Sequence, residues 1–75
     1  MHRTPSNIEK RVGQKLREQR RARKYTLSDL SKRVEMDVSH LSKIERGLAR
    51  TKLKTLERLA KAVGLKLCEL LSAAA

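Results

Sequence analysis

The stretch TLSDLSKRVEMDVSHLSKIERG, residues 26–47, decides the fold of this chain. It holds two short helical patterns, each with its own start signal. Thr26 can cap the first, because its hydroxyl can accept from an N–H of the first turn that has no helical partner. Asp29, three residues on, can reach back to the cap as a weaker relative of the capping box. Leu27, Leu30 and Val34 then fall at i, i+3 and i+7, one stripe of a helix. Asp37 is the second cap, Leu41 and Ile44 form the apolar side of the second helix, and Gly47 stands where a left-handed C-terminal cap belongs. Only Glu35 and Met36 separate the two patterns, so the turn is tight.

At about 100° per residue the second helix divides cleanly. Leu41 and Ile44 point one way. Ser39, Ser42, Lys43 and Arg46 cluster on the opposite side, with Val38 at its edge near the helix start. A slim polar face with its N-terminal end near the base edges is what entry into a DNA major groove requires. On an isolated helix the same face would read as merely solvated; the preceding helix, the short turn and the charge of the chain favour DNA.

The charge is large. Nineteen Lys and Arg against eight Asp and Glu give a net charge of +11 in 75 residues, which implies a polyanionic partner. Tyr25 is the only aromatic residue. Single-strand and RNA binders stack bases on aromatic side chains, so its isolation favours double-stranded DNA. The length allows one small domain near the lower limit for an unstapled core. A single cysteine excludes an internal disulfide, and with no CxxC pair and two histidines a zinc site is not expected. Cys68 reads as a small, partly buried hydrophobe in a reducing compartment. No apolar run is long enough for a membrane span, and no signal-peptide core follows Met1 to Pro5, so a cytoplasmic protein is expected. No nucleophile–base spacing, metal-ligand cluster or phosphate loop points to an enzyme or to a cofactor.

Around the central stretch the sequence predicts three more helices. A first helix runs from about Ser6, with a Ser6/Glu9 capping pattern and Asn7 as the rival cap, to Ala22 on the stripe Ile8, Val12, Leu16. Residues 48–52 form a loop carrying Arg50 and Lys52. Leu53, Leu56, Leu59, Ala60 and Val63 make a fourth helix closed by Gly64. Leu65, Leu67, Leu70 and Leu71 suffice for a short fifth, with Lys66 a poor cap. Residues 1–5 and 73–75 read as flexible tails around a domain spanning 6–72.

The motifs Leu16-Arg17-x-x-Arg20, Thr26-x-x-Asp29-Leu30-Ser31, Leu41-Ser42-Lys43-Ile44-Glu45-Arg46-Gly47 and Leu53-x-Thr55-Leu56-x-x-Leu59-Ala60-Lys61-Ala62-Val63-Gly64, in this order, resemble the Cro and phage-repressor type of helix-turn-helix protein. The resemblance covers roughly residues 12–71. It implies an all-α, compact five-helix bundle of the lambda-repressor-like type, with helices 2 and 3 as the helix-turn-helix. Ser39 and Lys43 are then the first base-reading residues, as the helical wheel independently suggests. Lys43 can donate to guanine O6 and N7, Val38 can pack on a thymine methyl, and Ser42 is intermediate. Phosphate contacts are expected from Arg20, Thr26, Arg46, Arg50 and Lys52. The resemblance also pairs Arg20 with Glu45, joining helix 1 to the recognition helix. His40 reads as a packed or edge histidine rather than a DNA contact. The chain departs from the family at Lys24 and Glu35, where Gly is usual, at Ser31, where Ala is usual, and at Leu27, where Gln usually meets the DNA backbone.

The leading functional expectation is a sequence-specific transcriptional regulator, most simply a repressor that binds a pseudo-palindromic operator as a homodimer. Leu67, Leu70 and Leu71 are the expected dimer contact, since four leucines in residues 65–71 exceed what one side of a short helix needs. The rival reading is an antitoxin-like module that binds a partner protein such as a toxin and also its own operator. A non-specific architectural DNA binder is the third.

Overall fold

Helix α1 (Asn7–Ala22) turns its apolar stripe inward, with Val12 and Leu16 buried. Helices α2 (Leu27–Val34) and α3 (Val38–Glu45) follow, then α4 (Leu53–Ala62) and α5 (Leu67–Ser72). The computed structural model describes residues 7–72, all of whose regular elements are helical. The expected tails and the Ser6 cap lie outside the described residues.

The core is one cluster. Leu16, Leu30, Leu41, Leu59, Val63 and Leu70 are its fully enclosed side chains, drawn from all five helices and the end of α4. Each buried leucine of this kind contributes about 1.5–3 kcal/mol of transfer free energy. α1 lies on α3 and α5, α2 on α3 and α4, and α4 on α5, so α3 is held from two sides while its outer face stays open.

Local chemistry fixes the helix ends. The Thr26 hydroxyl accepts from the Asp29 N–H at 3.0 Å, and an Asp29 carboxylate oxygen accepts from the Thr26 N–H at 2.9 Å, a complete capping box. The hydrogen bonds from Thr26, the backbone one first, hold the Asp29 carboxyl below its ordinary pKa. Asp37 caps α3 by accepting from the Ser39 N–H at 3.1 Å. Lys66 has no side-chain acceptor, and Glu69 supplies the missing half by accepting from the Lys66 N–H at 2.8 Å. The Arg58 guanidinium donates to the Val34 carbonyl, tying the end of α2 to α4.

α1 to α4 are each followed by a left-handed residue, Lys24, Glu35, Gly47 and Gly64 in turn. After α3, the Leu48 N–H donates to the Lys43 carbonyl and the Gly47 N–H to the Ile44 carbonyl, the two bonds of a Schellman motif. Lys24 (φ 61°) and Glu35 (φ 53°) hold the same geometry with a Cβ. The tight turn between α2 and α3 therefore keeps its shape without glycine and carries local strain. Glu35→Gly should raise stability by roughly 0.5–1 kcal/mol, the left-handed penalty less the entropy of an added glycine. A higher thermal midpoint checks this; a lower one would show that Glu35 makes a compensating contact.

Several expected core positions move outward. Ile8 and Leu53, placed on apolar stripes, are 57% and 61% exposed. Both stand at helix beginnings, on an apolar groove that the described residues leave open. Cys68, expected to be partly buried, is exposed on α5. His40 is exposed rather than packed, because Leu41, Ile44 and Glu45 fill the inner side of α3. Ser31, where a small apolar residue was the family norm, is buried but satisfied, its hydroxyl donating to the Ser28 carbonyl at 2.8 Å.

Candidate nucleic-acid interface

α3 presents Val38, Ser39, Lys43 and Arg46 outward, all exposed, with Ser42 half-buried beside them. Val38 is an apolar side chain left 41% exposed at the helix start. The side chains of Ser39, Ser42 and Lys43 make no hydrogen bond among the described residues. Their donors are therefore uncommitted, and Ser39 and Lys43, four residues apart, share one face. Two hydroxyls, an ammonium and a branched apolar group on one slim helix can meet base edges and a thymine methyl.

Behind this face lies a brace. Arg20 is 7% exposed and Glu45 6%. Arg20 Nε donates to Glu45 Oε2 at 2.7 Å and Arg20 Nη2 to Glu45 Oε1 at 3.1 Å, a bidentate pair between α1 and α3. Arg20 Nη1 also donates to the Tyr25 carbonyl at 2.7 Å, which fastens the approach to α2. Three of the five guanidinium N–H groups are thus used inside the protein. What remains of Arg20 borders a small cleft shared with Arg17, Leu27, Ser42 and Arg46. The Arg33 guanidinium stacks over the Tyr25 ring at 4.2 Å, covering the same corner from α2.

The other residues expected at phosphates are distributed around α3. Thr26 is exposed at the start of α2; its oxygen is taken by the capping bond, but its own proton is left to donate. Arg50 and Lys52 are exposed in the loop between α3 and α4. Leu27, where the family usually has Gln, is half-buried against the core instead of polar at the surface.

Gly13 is the residue that the sequence patterns did not single out. A Cβ there would fall on the Ile44 carbonyl oxygen and lie 2.6 Å from that of Glu45. The absent side chain is what lets α1 approach the backbone of α3 closely enough for the Arg20–Glu45 pair to close. A glycine in a helical pattern hints at such packing, yet nothing local names the partner.

Leu67, Leu70 and Leu71 separate. Leu70 is fully buried and closes the monomer core, so it is corrected from the expected dimer contact. Leu67 is half-buried against the same core. Leu71 is 36% exposed and lines an apolar groove with Ile8 and Leu53, floored by Val12, Ile44 and Leu56.

A family model described as helix-turn-helix (HTH_3) matches residues 16–70, most of the chain. The chain belongs to the helix-turn-helix family. Its Cro/C1-type pattern agrees with the five-helix arrangement. The crystal structure of the clp gene regulator ClgR from C. glutamicum is similar, with a TM-score of 0.85 and 25% identity over 89% of this chain and 86% of that one. A further crystal structure of the clp gene regulator ClgR from Corynebacterium glutamicum gives 0.84 and 25%, over 89% and 71%. No curated protein is significantly similar in sequence. Family and fold together make this helix-turn-helix chain a DNA-binding regulator of transcription. No helix among the described residues is long and apolar enough to cross a membrane.

Proposed function

We propose that this helix-turn-helix protein is a sequence-specific repressor of transcription, acting in the cytoplasm on double-stranded DNA. α3 enters the major groove of a half-site and reads bases with Ser39 and Lys43, aided by Val38 and Ser42. The observation that carries this reading is the outward face of α3, whose donors are uncommitted while the helix is held from behind by a buried ion pair. Thr26, Arg46, Arg50 and Lys52 anchor the sugar-phosphate backbone, and Arg20 reaches a phosphate only through its small cleft. Repression follows most simply from occlusion of a promoter.

One short helix touches too few base pairs to mark a site among the roughly 10⁶ or more competitors in a genome. Two copies about a two-fold axis double the read sequence, with half-site centres about 34 Å apart. Leu71, with Ile8 and Leu53 beside it, offers the exposed apolar surface for that contact. With +11 on each chain, the dimer is weak in free solution and completed on DNA.

Selection of bound duplexes from a random pool tests the function. The expected product is a pseudo-palindrome with half-sites one helical turn apart. Arg50→Ala should then weaken selected and random duplexes by about the same factor, because a phosphate contact carries no sequence information. A pool that returns no preferred sequence would contradict specific regulation and favour an architectural binder.

A further inference from the structure

The outer side of α1 carries a second basic surface that the reading of α3 does not use. Lys10, Gln14, Arg17 and Arg21 recur at i, i+4, i+7 and i+11, one stripe of the helix. They face the C-terminal end of α3, and with Arg46 they line an open groove of ≈ 540 Å³. Lys10, Arg17, Arg21 and Arg46 are all exposed, and none makes an ion pair or a side-chain hydrogen bond among the described residues. Two carboxylates border the groove, Glu18 and Glu45, and Glu45 is already spent on Arg20. Four cations therefore gather around one uncommitted carboxylate, an arrangement that a bound polyanion relieves.

Resting on the reading that α3 docks on DNA, we propose that this groove between α1 and the end of α3 binds the sugar-phosphate backbone of the same duplex, beside the base pairs that α3 reads. Continuity selects this occupant. Arg17 and Arg46 line both the groove and the small cleft at Ser42, so the basic surface runs unbroken from the reading face onto α1. The groove has no aromatic residue on which an unpaired base could stack. Its cationic stripe spans about 16 Å at 1.5 Å per residue, long enough to meet more than one phosphate of a strand that rises ~3.4 Å per nucleotide. Contacts of this kind add affinity without altering base preference.

The test compares the wild-type chain with the Arg17→Gln/Arg21→Gln variant on the selected duplex and on random duplex, from about 50 to 200 mM salt. Both positions are exposed, and glutamine keeps the helix propensity, so thermal midpoints should agree. The expected result is a log K against log salt slope shallower by about 1.8 for the variant, at ~0.9 per phosphate, on both duplexes. The preference for selected over random sequence should stay unchanged. If the wild type binds and the variant reproduces its slope and affinity, the groove does not hold DNA and the proposal falls alone. If the wild type binds no duplex, the reading of α3 falls and takes this proposal with it.

Discussion

Glu45→Ala should cost the fold about 3–5 kcal/mol, the loss typical when one partner of a buried ion pair is removed. The carboxylate accepts two charge-assisted bonds from Arg20 and is itself almost fully enclosed. Its removal leaves the guanidinium with a single internal partner, the Tyr25 carbonyl, in a place where water cannot fully replace the lost acceptor. For a domain of this size that is a large share of total stability. Arg20→Ala should do comparable damage, and the two losses should not add in the double variant. Arg20→Met/Glu45→Leu separates stability from DNA contact: it should recover much of the fold by removing both charges together. Additive single losses in chemical denaturation would contradict the pair.

Gly13→Ala should be the most disruptive change that adds only a methyl group. The new carbon would meet two backbone carbonyl oxygens of α3, and neither can rotate away as a side chain would. Relief requires α1 and α3 to separate, at a cost of about 1–3 kcal/mol, in spite of the better helix propensity of alanine. Because α3 is the element displaced, affinity for the selected duplex should fall beyond what the lost stability explains. Thermal denaturation and duplex titration on the same preparation check both parts. Unchanged values in both would mean the helices pack with more slack than the structure has.

The contrast between Gly13 and Thr26 shows what the sequence made legible. Thr26 and Asp29 satisfy each other across three residues, so their capping box can be read from spacing alone. Gly13 answers to Ile44 and Glu45, some thirty residues away, and no local pattern contains that partner. The core stripe Leu30, Val34, Leu41 and Ile44 was legible because helical period fixes which side chains share a face. Period does not say where a helix's cover stops, so Ile8 and Leu53 looked like core and stand exposed. Among the C-terminal leucines, spacing gave too many apolar positions for one side and could not rank them. Packing of α5 on α1 and α4 ranks them, burying Leu70 and leaving Leu71 at the groove. Lys24 and Glu35 were visible only as departures from the family's glycines. The backbone answers them by keeping left-handed turns, with local strain in place of a new shape.

The central claim, that the outer face of α3 reads bases, is tested most directly by the ratio of affinities for the selected and the random duplex in Lys43→Ala. Lys43 is exposed and its side chain has no hydrogen-bond partner among the described residues, so truncating that side chain leaves the fold intact. The predicted result is a cost of roughly 1–3 kcal/mol on the selected duplex, a much smaller cost on random duplex, and relaxed preference at one or two base positions. Equal weakening of both duplexes would contradict the claim, because Lys43 would then hold only phosphate.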